Sequence, residues 1–229
     1  MSEEFSKTEL LIGSDAIKKL ASCRVAVFGV GGVGGYAVEA LIRSGLGNID
    51  IIDNDKVCES NINRQIIAST KTIDRYKVDA AKERILEINP NVNVKTYKTF
   101  FTPQTSDEFD FRKYDYVIDA CDTVSIKKEI IKICTKNKIK FISCMGTGNK
   151  LNPSMLEVTD IRKTSYDPLA KKLRKMVKDE RISGKVPVVC SREVPIKVNS
   201  NNVGSTSFVP ATAGLLITSY IINDIVGDL

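Results

Sequence analysis

Gly29-Val-Gly-Gly-Val-Gly34 places four glycines in six residues, directly after a short apolar run and before a helix-like stretch. Such a loop permits a tight turn and close approach of backbone N–H groups to phosphate, and a helix N-terminus behind it favours anions. Asp53 ends the next apolar run, where a carboxylate can accept hydrogen bonds from ribose hydroxyls. Three further groups point to phosphate chemistry. Arg64 and Lys77 could neutralise part of a triphosphate, and Asp122 could hold a magnesium ion that keeps most of its waters. Hydride transfer needs no such set at the phosphate end. The glycine pattern alone does not choose between a dinucleotide and a triphosphate.

These groups need strands and helices to hold them. Arg24–Gly29 reads as a buried parallel strand, and a helix pattern runs from about Gly34 to Ser44, stopped by Gly45 and Gly47. Asn48–Asp53 is the second strand. Val78, Ala81, Ile85 and Ile88 repeat near 3.6 residues, which predicts a helix over Lys77–Ile88 that Asn89-Pro90 ends. Val92–Thr99, Tyr114–Ala120 and Lys140–Cys144 are further strand candidates, with a helix over Ser125–Asn137. Strand and helix alternate at parallel-sheet spacing, so the expected fold is α/β: a doubly wound, mainly parallel Rossmann-like sheet. The alternation weakens after residue 150. There Asp167-Pro168 looks like an N-cap with proline at the first helical position, and its helix should bury Leu169, Leu173, Met176 and Val177. Pro187–Cys190 and Val194–Val198 read as strands, and Val209–Val226 as a closing helix. The pattern fits one domain over residues 1–229, a nucleotide-binding core of about 22–150 and a C-terminal elaboration of strands and helices over about 151–229.

Composition narrows the chemistry. The 229 residues contain no histidine, which removes a Ser-His-Asp triad, a Cys-His pair and imidazole metal ligands. Six cysteines show no C-x-x-C spacing, so a structural zinc is not expected. Cys121 and Cys144 fall on predicted strands as core thiols, which leaves Cys58 and Cys190 as the two to test. The formal charge of +6 is concentrated: residues 162–185 hold nine basic side chains against three acidic ones, and the remainder balances. That segment is either a solvated helix face or a surface for a phosphate-rich partner such as nucleic acid. The first residues lack a signal peptide's pattern, and polar residues interrupt the C-terminal apolar stretch. A cytoplasmic protein with reduced thiols and no membrane partner is therefore expected.

The glycine loop, Asp53, the Ser60-Asn-Ile-Asn-Arg-Gln65 segment, Lys77 and Asp122 together resemble the ubiquitin-activating-enzyme-like adenylyltransferases of the ThiF/MoeB/HesA type. Within that superfamily the chain is most similar to the branch that dehydrates threonylcarbamoyladenosine in tRNA. Phe5–Gly13, Asp167-Pro-Leu-Ala170 and Gly204–Ala211 carry that closer resemblance. The resemblance implies an ATP-dependent adenylating enzyme with Mg2+. Gly29, Gly31 and Gly32 would lie along the phosphates and Asp53 on the ribose. Ser60, Asn61, Asn63, Arg64 and Gln65 would bracket the nucleotide, with Arg64 and Lys77 on phosphate. Asp122 would hold the metal, with Thr123 beside it.

The same resemblance implies a tRNA substrate held through the basic 162–185 segment, a homodimer, and a sulfur-relay protein as a candidate partner. The nucleophiles would belong to the substrate, which suits a chain without histidine. Two positions depart from the family pattern. Lys7 stands where an arginine is usual, one that related enzymes supply from the other subunit, and it keeps the charge without the planar fork. Cys190 stands where an aromatic residue is expected. The competing reading is adenylation of a small sulfur-carrier protein at its C-terminal glycine. Two others remain open from the residues alone, an NAD-binding Rossmann protein and a non-catalytic RNA-binding module.

Overall fold

The computed structural model describes residues 3–200 and 202–227. Two short helices, α1 (Ser6–Ile12) and α2 (Ser14–Ser22), precede the first strand. The sequence periodicity did not predict α1, and the reason is visible: Leu10 and Leu11 are exposed, so it has no buried stripe to read. Then come β1 (Arg24–Phe28), α3 (Gly34–Arg43), β2 (Asn48–Ile52), α4 (Lys77–Ile88), β3 (Asn93–Tyr97), β4 (Tyr116–Asp119), α5 (Val124–Asn137) and β5 (Phe141–Cys144). This stretch follows the expected alternation closely. The remainder comprises β6 (Leu156–Asp160), α6 (Pro168–Asp179), β7 (Pro187–Ser191) and α7 (Phe208–Val226).

All seven strands form one sheet in the order β3-β2-β1-β4-β5-β7-β6, parallel except for the β6–β7 pair. The chain winds outward from β1 through β2 to β3, then returns to lay β4 on the other side. The carboxyl ends of β1 and β4 therefore flank a topological switch point, where open α/β sheets leave a crevice for ligand. Side chains alternate across the sheet as a strand requires. Val25 and Val27 face α3, α4 and α7, whereas Ala26 and Phe28 face α5, α6 and an aromatic cluster of Phe101, Phe109 and Phe111. Both faces are covered, which is why the central strands are apolar throughout.

α7 is long and apolar enough to cross a membrane by length and composition. Here Val209, Ala213, Ile217 and Ile221, spaced one helical turn apart, are completely buried beside α3. The Thr218 hydroxyl donates to the Ala37 carbonyl at 3.0 Å.

Three expectations need correction. The Val194–Val198 segment is not a strand: its alternating apolar residues are exposed, and Pro195 offers no N–H to a ladder. The edge strand β6, antiparallel to β7, was not expected, because only Leu156 in it is buried and no apolar run marks it. Finally, Leu169 is not in the buried seam of α6. Ala170 takes that place with Leu173, Met176 and Val177, and Leu169, one residue and roughly 100° away, faces elsewhere.

Candidate active site

The carboxyl ends of five strands open into a cavity of about 700 Å³, within the range of small-molecule sites. Its wall runs along the sheet edge. Thr99–Phe101 follow β3, Asp53–Asp55 follow β2, the glycine loop follows β1, Ala120–Thr123 follow β4, and Cys144–Gly148 end or follow β5. Leu169 of α6 also lines it.

Two glycines are needed for the crevice to exist. Gly29 has φ +89°, and a Cβ on it would lie 2.9 Å from the Ala120 carbonyl, because the exits of β1 and β4 nearly touch. A Cβ on Gly34 would collide with the Gly29 carbonyl, so α3 starts hard against the loop. Gly31 differs. A Cβ there would meet only the Gln65 side-chain amide at 3.7 Å, so its missing side chain leaves backbone open to the cavity. Beside it, the buried Gln65 Oε1 has no hydrogen-bond partner. A polar ligand against Gly31 and Gln65 would satisfy both features.

Asp53 ties β2 to the glycine loop: its carboxylate accepts from the Val30 N–H and from the Asp55 N–H, each at 2.9 Å. Burial pushes its carboxyl above the usual aspartate value, against the pull of Lys77 and those two N–H groups. Lys77 opens α4 and is almost fully buried, with its Nζ 2.6 Å from Asp55 Oδ2. Asp55 was not singled out from sequence. Its signal was a second aspartate just past the end of the strand.

Arg64 reaches the cavity wall, held by Nη1 donating to the Ser60 carbonyl at 2.8 Å and to Asn63 Oδ1 at 3.0 Å. Ser60 and Asn63 thus stand behind Arg64 and not on the wall, and Asn63 also donates to the Ser205 carbonyl at 3.0 Å. Asn61 lines the cavity while its Oδ1 accepts from the Cys58 N–H at 3.2 Å. Asp122 and Thr123 also line the cavity, with the threonine hydroxyl 3.2 Å from Asp122 Oδ1. Asp122 is exposed and has no ion-pair partner among the described residues.

Two fully buried lysines, absent from the sequence-derived set, brace this wall. Lys127 of α5 donates to both oxygens of Asp119, at 3.1 and 3.0 Å, and to the Cys144 carbonyl at 2.7 Å. Ser143 donates to the same Asp119 carboxylate. Lys150 donates to the Gly146 carbonyl at 2.5 Å and pairs with Asp167 at 3.1 Å, while Asp167 caps α6 by accepting from the Ala170 N–H at 2.7 Å.

The thiols are not poised for nucleophilic work. Burial pushes Cys144 to about 12, Cys190 to about 11, and Cys121 well above its ordinary value. Only Cys58 is exposed, with its Sγ 3.1 Å from the Ser60 hydroxyl. The wall presents Arg64 and Lys77 against Asp53, Asp55 and Asp122. Two cations facing three carboxylates cannot neutralise a triphosphate unaided, and a divalent cation would redress that. Among the described residues no cluster of three or more acidic or thiol ligands forms a ready cage. One carboxylate completed by substrate phosphates and water is the arrangement magnesium accepts.

Comparison with known proteins agrees with this geometry. A sequence model of the ThiF family matches residues 5–227. The tRNA threonylcarbamoyladenosine dehydratase of Bacillus subtilis is 40% identical over 246 residues, covering 100% of this chain and 97% of that one. The solved Escherichia coli tRNA N6-threonylcarbamoyladenosine dehydratase in complex with AMP is 37% identical with a TM-score of 0.93, covering 97% of this chain and 94% of that one. The same Escherichia coli enzyme in complex with ATP superposes with a TM-score of 0.92 at 36% identity, covering 97% and 93% of the two chains.

Proposed function

The chain belongs to the ThiF family, and from that premise we propose that it performs the ATP-dependent cyclisation of threonylcarbamoyladenosine next to the tRNA anticodon, as a single adenylation domain. The reading is carried by one observation: Arg64, Lys77 and Asp122 line the same cavity as the glycine loop, in a chain matching, over nearly its whole length, a dehydratase solved with ATP and with AMP.

In this reaction the threonyl carboxylate attacks the α-phosphorus of ATP, forming an acyl-adenylate and releasing pyrophosphate. The side chain of the same nucleoside then attacks the activated carbonyl, the ring closes, and AMP leaves. The protein's task is positioning and charge neutralisation. Backbone N–H groups of the loop at the start of α3 receive the phosphates, and Gly31 lets them come close. Asp53 accepts from the ribose hydroxyls. Arg64 is presented rigidly by Ser60 and Asn63, so its charge requires little reorganisation, and Lys77 can share its ammonium between Asp55 and phosphate. Gln65 offers its side-chain amide beside the loop. Asp122, with Thr123, would hold a magnesium ion, which supplies further charge neutralisation at the phosphates.

The remaining assignments rest on the resemblance and on this chemistry. The tRNA binds through the basic 162–185 segment, next to the cavity that Leu169 lines. The enzyme works as a homodimer in which Lys7, exposed on α1, reaches the partner's nucleotide, and a sulfur-relay protein is a candidate partner. We assign it to the cytoplasm, where a tRNA substrate is available. Adenylation of a sulfur carrier is disfavoured, because the relatives that match nearly the whole chain are dehydratases acting on tRNA. The test is mass spectrometry of nucleosides after incubation with ATP, magnesium and threonylcarbamoylated tRNA. Loss of one water from the modified adenosine supports the reading. An unchanged nucleoside, with ATP consumed only when a carrier protein is present, overturns it.

A further inference from the structure

Just before the N-cap of the cationic helix α6 stands an aromatic residue in an unusual backbone conformation. Tyr166 has φ +57° and is 63% exposed. The Asp167 N–H donates to the Ser165 carbonyl at 2.7 Å, closing a three-residue turn with Tyr166 at its centre. Turns of this kind with a positive central φ are rare and strained, and a bulky side chain is an unfavourable choice for that position. The Tyr166 side chain makes no hydrogen bond or ring contact with the other described residues.

Its neighbours fix where the ring stands. Asp167, next in the chain, is buried and pinned through Lys150 to the Gly146 carbonyl of the cavity wall. Leu169 lines the cavity itself. Lys171, Lys172, Lys175 and Lys178, all exposed, begin one helical turn further on. Arg162 and Arg174 of the same basic segment are engaged internally, with the Ile182 and Thr164 carbonyls at 2.7 and 2.9 Å, and are not part of the free cationic face. An exposed aromatic residue therefore stands in the chain between Asp167, whose buried ion pair with Lys150 ties it to the cavity wall, and the cationic face of α6.

We propose that Tyr166 is a stacking platform for an RNA base adjoining the nucleoside that enters the cavity, with the α6 lysines holding the phosphates on its outer side. This deepens the tRNA reading above and rests on it. Single-stranded RNA is read by splaying bases onto aromatic faces, and base–aromatic stacking tolerates many sequences because every base presents a π-face. The side chain is exposed without RNA and its backbone is fixed by the turn, so less ordering is required on binding.

The test uses the full chain and an anticodon stem-loop carrying threonylcarbamoyladenosine, assayed for cyclisation at several salt concentrations. Tyr166→Ala should raise KM for the RNA about 5- to 150-fold, the value of one base stacked on an aromatic ring, and leave KM for ATP unchanged. Its salt dependence should match the parent, because stacking releases no counterions. Tyr166→Phe should retain affinity. Tyr166→Gly, which removes the backbone strain, should bind RNA as weakly as the alanine variant while melting no lower than the parent. An unaltered KM for RNA in Tyr166→Ala overturns the proposal, as does equal loss in Tyr166→Phe, which would mean that the RNA met the hydroxyl and not the ring face. If the parent itself neither binds nor cyclises the RNA, the functional reading falls and the stacking role with it.

Discussion

Asp122 is exposed and held by one hydrogen bond from Thr123, so the fold makes little use of its charge. Asp122→Asn should therefore fold and melt like the parent while cyclisation falls about 100- to 1,000-fold, the usual cost of losing one electrostatic stabiliser. Equal turnover in the two proteins would remove Asp122 from the reaction. The thiols make an opposite case. A thiol pushed to about 11 or 12, as at Cys190 and Cys144, holds almost no thiolate at neutral pH. A maleimide at pH 7.5 should label the exposed Cys58 first, and Cys58→Ser should keep full turnover; a thioester trapped on Cys190 during catalysis would contradict this. Asp122 could be read in the sequence because it stands just past a predicted strand, Tyr114–Ala120, at the carboxyl edge where open sheets bind ligands. Lys77's pairing with Asp55 could not, since its partner is 22 residues away and separated by an irregular loop.

Between elements, two charged clamps set the geometry of the site. Lys127, Asp119 and Ser143 lock α5 to the ends of β4 and β5, the strands that lead to Asp122 and to the Met145–Gly148 wall. Lys127→Met would leave the Asp119 carboxylate buried without its cation and should destabilise by about 3–5 kcal/mol in denaturant unfolding. Adding Asp119→Leu to that variant should recover much of the loss, because two uncharged groups carry no desolvation cost. The second clamp is Glu39 of α3, which accepts from Arg43 of its own helix and from Arg84 of α4, at 2.8 and 2.6 Å. Burial pushes its carboxyl up, but the two arginines outweigh burial and hold it below its ordinary value. A carboxyl with a lowered folded-state pKa stabilises fully above its unfolded value, and the contribution disappears as pH falls through the folded one. Glu39→Gln should thus be less stable than the parent at pH 7, with the difference closing as the pH drops below about 4.5. A gap that stays constant to about pH 3 would deny Glu39 this role.

For the molecule as a whole, charge is arranged by distance from the reacting atoms. Of the cavity's two cations, Lys77 pairs with Asp55 and Arg64 donates to neutral acceptors, whereas Lys171, Lys172, Lys175 and Lys178 lie exposed outside it on α6. Replacing Lys171, Lys172, Lys175 and Lys178 by Glu should weaken tRNA binding strongly and flatten its salt dependence, by about 0.7–0.9 in log–log slope for each phosphate no longer neutralised. ATP affinity should persist. If tRNA affinity and slope are unchanged, the face is solvated and nothing more.

The sequence by itself determined the order of strands and helices from β1 to residue 150, the glycine loop and several of the residue types that line the cavity beside it. These follow from local rules: two-fold and 3.6-fold apolar periods, and glycines where only a missing Cβ fits. It also located the cationic helix, because Asp167 and Pro168 announce a helix start within two residues. Tertiary structure decided the rest. It paired Val158 of β6 with Val189 of β7, left Val194–Val198 without a partner strand, and turned Leu169 from the seam to the cavity. It alone revealed Lys127 and Lys150 as buried braces. Lysine belongs in water unless a distant carboxylate and carbonyl meet its three protons, and sequence spacing does not show where the chain will bring them together.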